Sequence, residues 1–164
     1  MCNVIVPFTS LEDGVVAAIE ASGRMPILHD VSGSDEDYWE LLAGLWELGE
    51  SFVVVEQDIV VRADTLDSFD DCPNGWCAAG YPYLGSQNYA GLGCTRFRAD
   101  FIEKHRDLIE LAGEFTNAEH PKRHWCTLDA AMQFALRDRG LFACTDHGTV
   151  EHLGDQRPSH GCCG

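Results

Sequence analysis

Three short apolar runs near the start of the chain are separated by two segments of helical spacing, and this alternation constrains the fold more than any other feature. NVIVPF, residues 3–8, reads as a strand. Residues 11–22 then carry Leu11, Val15, Val16, Ala18 and Ile19 at helical spacing and stop at Gly23. MPILHD (25–30) reads as a second strand, SGSD as a turn with N-cap residues, and DYWELLAGLWELGE (37–50) as an amphipathic helix ended by Gly49. FVVVEQDIVV (52–61) opens with a third strand. This order favours a mostly parallel sheet with helices on its faces, because parallel neighbours need crossover connections and these are supplied at ordinary length.

Beyond Val61 the pattern loosens. A short acidic helix is expected around ADTLDSF, a strand at WCAAGY, and a long Gly- and Tyr-containing loop at YLGSQNYAGLG, residues 83–93. CTRFRADFIEKHRDLIELAGEF is helix-like in its later part, and TLDAAMQFALRDRG (127–140) is a helix closed by Gly140. A last strand is expected at LFACTD or GTVEHL, before a flexible Gly-, His- and Cys-containing tail over 155–164. With no repeat or linker, the 164 residues read as one compact domain.

Charge narrows the partners. Twenty-seven acidic residues against 11 basic ones give a formal charge of −16, which argues against nucleic acid or an anionic membrane as the main partner. No apolar run approaches the roughly 20 residues needed to span a bilayer. The N-terminus lacks a basic region and is interrupted by Pro7, so a cytoplasmic protein is expected. In that compartment the eight cysteines would be reduced or metal-bound. The Cys72 and Cys77 spacing leaves open buried thiols, a structural metal or an oxidised pair.

The valine run ends in two acids. In an extended chain Glu56 and Asp58 share a face while Gln57 points away, and in open α/β sheets ligands sit beyond the carboxyl ends of such strands. A hard cation such as Mn²⁺ or Mg²⁺ prefers one or two carboxylates plus substrate phosphates. A strand simply ending in polar residues is the plainer reading.

Glu56-Gln57-Asp58 after a hydrophobic strand resembles the acidic D-x-D signature of GT-A glycosyltransferases, with Glu in place of the first Asp. HDVSGSD, residues 29–35, resembles the segment ending the second strand of family-2-type members, and Asp30 takes the position that contacts the nucleoside. Leu128-Asp129 resembles the second acidic motif, with Leu where the family usually has Glu. VEHLG (150–154) is similar to the C-terminal segment in which a histidine, here His152, completes the metal site.

The resemblance implies a three-layer, Rossmann-like GT-A domain that moves a sugar from a nucleotide-diphosphate donor to a hydroxyl acceptor. Asp58, His152 and Glu56 would hold Mn²⁺ or Mg²⁺, Asp30 and Glu56 the nucleoside, and Asp129 would act as general base. Gly91 and Gly93 would lie near the reacting centre, with Tyr83 and Tyr89 offering stacking faces. Trp125, one turn before Asp129, reads first as a core or helix-staple tryptophan and second as a platform for an acceptor sugar. Each has an ordinary counterpart: Asp129 as a first-turn helix acid, His152 as a half-buried strand histidine with His147 its competitor, and the glycines as turn formers. The alternative is a non-enzymatic acidic α/β binding domain with a Cys/His structural metal site.

Overall fold

The computed structural model describes residues 2–83, 86–88, 91–115 and 122–153. Strand β1 (Asn3–Phe8) leads through helix α1 (Asp13–Ala21) to β2 (Pro26–Asp30), and α2 (Asp37–Leu48) leads to β3 (Phe52–Val55). A turn then gives β4 (Ile59–Val60), helix α3 (Ala63–Asp71), β5 (Trp76–Ala78) and the hairpin strands β6 (Tyr81–Tyr83) and β7 (Ser86–Asn88). Strand β8 (Cys94–Phe97) is followed by α4 (Ala99–Lys104), α5 (Leu108–Gly113), a 3₁₀ turn (Trp125–Thr127), α6 (Leu128–Asp138) and β9 (Glu151–His152).

The main sheet has five strands in the order β2-β1-β3-β8-β5. The first three are parallel, while β8 runs antiparallel between β3 and β5, so the sheet is mixed but mostly parallel. As expected, FVVV is the central strand, covered on both faces. Its alternation feeds two cores. Phe52 and Val54 join Ile5, Trp39, Leu42, Trp46 and Met132 under α2, α4, α5 and α6. Val53 and Val55 join Val4, Val6, Val15, Ile19 and Phe69 under α1 and α3. The result is three layers around the sheet.

Helix ends follow the sequence signals. Gly23, Gly49 and Gly140 all adopt positive φ (77°, 71° and 67°) just past α1, α2 and α6, the left-handed conformation that glycine enters without a Cβ clash. Other segments differ from expectation. WCAAGY is two strands broken at Ala79–Gly80, and the loop after Tyr81 begins as the β6/β7 hairpin. CTRF forms a wholly buried strand, hidden in the sequence because Thr95 and Arg96 interrupt its apolar pattern. Within LFACTD and GTVEHL only Glu151–His152 forms a strand, with isolated bridges at Cys144 and Thr149. Tyr89 and the tail 155–164 lie outside the described residues, as does the side chain of Tyr83. No described helix is long and apolar enough to cross a membrane.

Candidate functional site

The chain leaves β1 toward β2 on one side and later returns to place β3 on the other, so strand order reverses at β1. The carboxyl ends of β1 and β3 border a crevice there, the usual ligand position in such sheets. A cavity of about 700 Å³ occupies it. Its walls are Pro7 and Thr9 after β1, the segment Val31–Asp35 after β2, Tyr38 of α2, Glu56, Gln57 and Asp58 after β3, and Trp125.

Glu56, Gln57 and Asp58 do not continue the strand. They form a turn closed by the Ile59 amide donating to the Glu56 carbonyl at 3.0 Å, while the Glu56 amide donates to the Gly93 carbonyl at 2.9 Å. The two-residue alternation of an extended chain therefore does not apply, and all three side chains border the cavity. Gln57 acts as a clamp: its Oε1 accepts from the amides of Thr9 (2.6 Å) and Ser10 (3.1 Å) and from the Thr9 hydroxyl. This fastens the β1–α1 loop to the β3 turn.

Glu56 is half-buried and accepts a hydrogen bond from the Tyr38 hydroxyl at 3.0 Å. Burial pushes its carboxyl up to about 8; the charges of Asp129 and Asp58 add to the rise, and the Tyr38 bond opposes it. Burial also raises Asp129 above the ordinary carboxylate range, against the Leu92 amide, which donates to its Oδ1 at 2.8 Å. Asp129 stands in the first turn of α6, where the helix N-terminus favours the ionised form. It is not among the residues that line the cavity, and its charge reaches Glu56, which is.

Asp58 meets a histidine from the far end of the chain. Strand β9 pairs antiparallel with β4, opposing Ile59 to His152, and the Leu153 amide donates to the Asp58 carbonyl at 2.8 Å. His152 Nε2 lies 3.3 Å from Asp58 Oδ2, with the ring 5.3 Å from that of Tyr81. Among the described residues no Lys or Arg is paired with Glu56, Asp58 or Asp129. The charges of Asp129 and Asp58 both bear on Glu56, and Asp58 faces His152. An imidazole and carboxylates with unbalanced charge suit a divalent cation of the Mn²⁺ or Mg²⁺ type.

The other expected residues fall around this centre. Asp30 ends β2, fully exposed, and accepts from the Ser32 amide at 2.9 Å; it borders a separate groove with Glu40 and Leu41, while Val31–Asp35 line the cavity. Gly91 and Gly93 are buried in the backbone beneath the site. A Cβ at Gly93 would stand 2.7 Å from Tyr81 Cε1, so glycine there permits the ring that flanks His152. Trp125 is 46% exposed on the cavity wall, its amide bonded to the Asp35 carbonyl at 3.0 Å. His147 lies elsewhere, against Ser68 and Phe69 of α3. Tyr38 and Gln57 carry no motif signal; the first reads as one more aromatic in a helix, the second as the unassigned middle of an acidic tripeptide.

No protein-family model and no curated protein matches this sequence. Solved structures do match. A glycosyltransferase involved in glycosylation of the major capsid of PBCV-1 superposes with TM-score 0.54 at 13% identity, covering 93% of this chain and 94% of that one. A CMP:2-keto-3-deoxy-manno-octonic acid synthetase complexed with CTP gives TM-score 0.44 at 13% identity, covering 94% and 74%. A protein from STIV gives 0.49 at 9% identity, covering 81% and 78%. At such identities the likeness is one of fold: the chain shares the α/β architecture of the first of these nearly end to end.

Proposed function

We propose that the chain is a metal-dependent glycosyltransferase of GT-A type, a single catalytic domain taking a sugar from a nucleotide-diphosphate donor to a hydroxyl acceptor. The observation that carries this reading is the acidic turn of Glu56 and Asp58 on a cavity of donor size at the switch point of the sheet, with His152 facing Asp58 and the charge of Asp129 reaching Glu56. The fold shared with a glycosyltransferase is consistent with it.

A divalent cation held by Asp58 and His152, with Glu56 nearby, would neutralise charge developing on the departing diphosphate. The remaining steps belong to the side chains. The segment Val31–Asp35, rather than Asp30 alone, would border the nucleoside, and Gln57 holds the Thr9–Ser10 loop to form the opposite wall. Trp125 offers its exposed face to an acceptor sugar. As the bond from the anomeric carbon to the phosphate oxygen breaks and one to the acceptor oxygen forms, the hydroxyl proton passes to Asp129. Its raised pKa brings it nearer the working pH, which suits a general base. Catalysis would come chiefly from positioning and charge stabilisation.

Thermal melting tests the reading. Uridine or guanosine diphosphate at about 100 times its dissociation constant, with Mn²⁺, should raise Tm by roughly 5–10 °C. Asp58→Ala should abolish the rise while leaving the apo protein folded. If neither diphosphate shifts the melting curve with Mn²⁺ or Mg²⁺, the transferase reading fails.

A further inference from the structure

A second cluster of ligating side chains lies away from the acidic centre, between α3, β5 and the segment leading to β9. Cys72 follows the last turn of α3, Cys77 lies within β5, and one ligand atom from each lies within 4.8 Å of the other and of a ring nitrogen of His147. All three residues are buried, at 8%, 0% and 8% exposure. Cys144 stands beside them. Its backbone bridges Cys77 in parallel register, and its thiol is among the hydrogen-bonding neighbours of Cys72.

The histidine tautomer is fixed by its surroundings. The Ser68 hydroxyl donates its single proton to the Thr65 carbonyl at 2.7 Å, so its oxygen must accept from His147 Nδ1, 2.9 Å away. Nδ1 therefore carries the proton, and Nε2 is left with a bare lone pair. That atom is buried with no hydrogen-bond partner. A buried acceptor without a partner calls for an explanation. An imidazole whose Nδ1–H is held by a second group while Nε2 is bare is the usual form of a metal-binding histidine.

The charge balance is equally specific. Arg96 is fully buried, and its guanidinium donates to the carbonyls of Phe69, Cys72 (3.1 Å) and Asn74 (2.6 Å) and to Cys77 Sγ (3.2 Å). Among the described residues no carboxylate pairs with it. A buried cation without a counter-ion is costly. Asn74 Nδ2 likewise donates to Cys72 Sγ at 3.4 Å. Three thiolates, a neutral imidazole and a divalent ion carry one net negative charge, which Arg96 would balance.

We propose that Cys72, Cys77, Cys144 and His147 form a structural zinc site. Soft sulfur donors with one imidazole select zinc, in a closed tetrahedral shell of the Cys₃His type. At a Zn–S length of about 2.3 Å, tetrahedral sulfurs stand about 3.8 Å apart, so Cys72, Cys77 and His147, already within 4.8 Å of one another, need only a small contraction, and Cys144 joins them from beside Cys72. On loading, Zn²⁺ displaces one proton from each thiol and forms three Zn–S bonds and one Zn–N bond; the protons pass to solvent. The site would staple the end of α3 and β5 to residues 144–147, which have little regular structure of their own and lead directly to His152.

Untagged full-length protein, purified without added metal under reducing conditions, should hold one zinc per chain after dialysis, and a strong chelator should lower its Tm. Replacement by Co²⁺ should give the visible bands of a tetrahedral ion and thiolate-to-cobalt charge transfer in the ultraviolet. Because loss of Cys72 or Cys77 endangers folding, the deciding variant is His147→Cys. It should keep the metal and strengthen the charge transfer by about a third, a fourth thiolate joining three. Cys126→Ser should leave the spectrum unchanged. Substoichiometric zinc with no tetrahedral cobalt spectrum would overturn the proposal. So would a mass two units below the reduced chain, marking a disulfide, or a cobalt spectrum that His147→Cys leaves unaltered. Asp58→Ala should retain its zinc, so loss of the zinc proposal and loss of the transferase reading are separable.

Discussion

Glu56→Gln should make the apo protein more stable and remove what we propose it does. Glu56 titrates at about 8 in the folded chain against 4.5 ordinarily, so the folded state holds this proton more tightly than the unfolded state. Stability attached to such a group is complete below 4.5 and is lost as pH rises toward 8. Each pKa unit corresponds to about 1.4 kcal/mol. Because the residue as a whole is only partly buried and the rise is partly the charge of Asp129 and Asp58, we discount the full shift and expect on the order of 2 kcal/mol at pH 8. Gln keeps the shape and can accept the Tyr38 hydroxyl as Glu does. For a chain of this length 2 kcal/mol is a Tm gain of about 4–8 °C. The assay is calorimetry from pH 5 to 8: the variant should gain over the wild type as pH rises and bind Mn²⁺ more weakly. If Glu56→Gln is no more stable than wild type at pH 8, or the two lines stay parallel across the range, the acidic centre is not strained and the electrostatic reasoning fails. Stability held back in this way is common where a site needs charge that the fold would rather not carry.

Mn²⁺ affinity, followed by electron paramagnetic resonance, should rise steeply between pH 6 and 8, because Glu56 at about 8 and the raised Asp129 must lose protons before their charge is available. Gly93→Ala forces a methyl toward Tyr81 Cε1, 2.7 Å away; a loss of about 1–3 kcal/mol in denaturant unfolding is expected, together with weaker Mn²⁺ binding through displacement of Tyr81 from His152. Phe97→Ala removes a ring that contacts Trp46 at 5.1 Å and Trp76 at 5.9 Å between centroids, and should cost about 3–5 kcal/mol by chemical denaturation.

The fold was legible where local pattern and tertiary burial agree. β1, β3 and the helices between the strands, with their glycine stops, follow from periodicity, because β1 and β3 alternate into two apolar cores and each helix presents one apolar face, while β2 is read from its short apolar run and lies exposed at the sheet edge. Strand β8 was not legible. Its Arg96 reads as a solvent residue in sequence, and only the ring of carbonyls from Phe69, Cys72 and Asn74 explains its burial. In the candidate site, Asp58 and His152 are 94 residues apart in sequence and meet through β4 and β9, strands of two residues too short to read by periodicity. The resemblance to an ordered family motif linked them; spacing could not. Asp30 shows the reverse case, a residue marked by motif position whose side chain turns to another groove while its neighbours line the cavity. Tyr38 and Gln57 gain their roles only from the turn that replaces the extended end of β3.

The most direct test of the central claim is a crystal structure with Mn²⁺ and uridine or guanosine diphosphate, read by anomalous scattering. The expected result is a manganese peak about 2.2 Å from an Asp58 carboxylate oxygen, with His152 and diphosphate oxygens completing its shell and the nucleoside against Val31–Asp35. Nucleotide bound elsewhere, or an acidic centre without manganese at saturating nucleotide and metal, would contradict it.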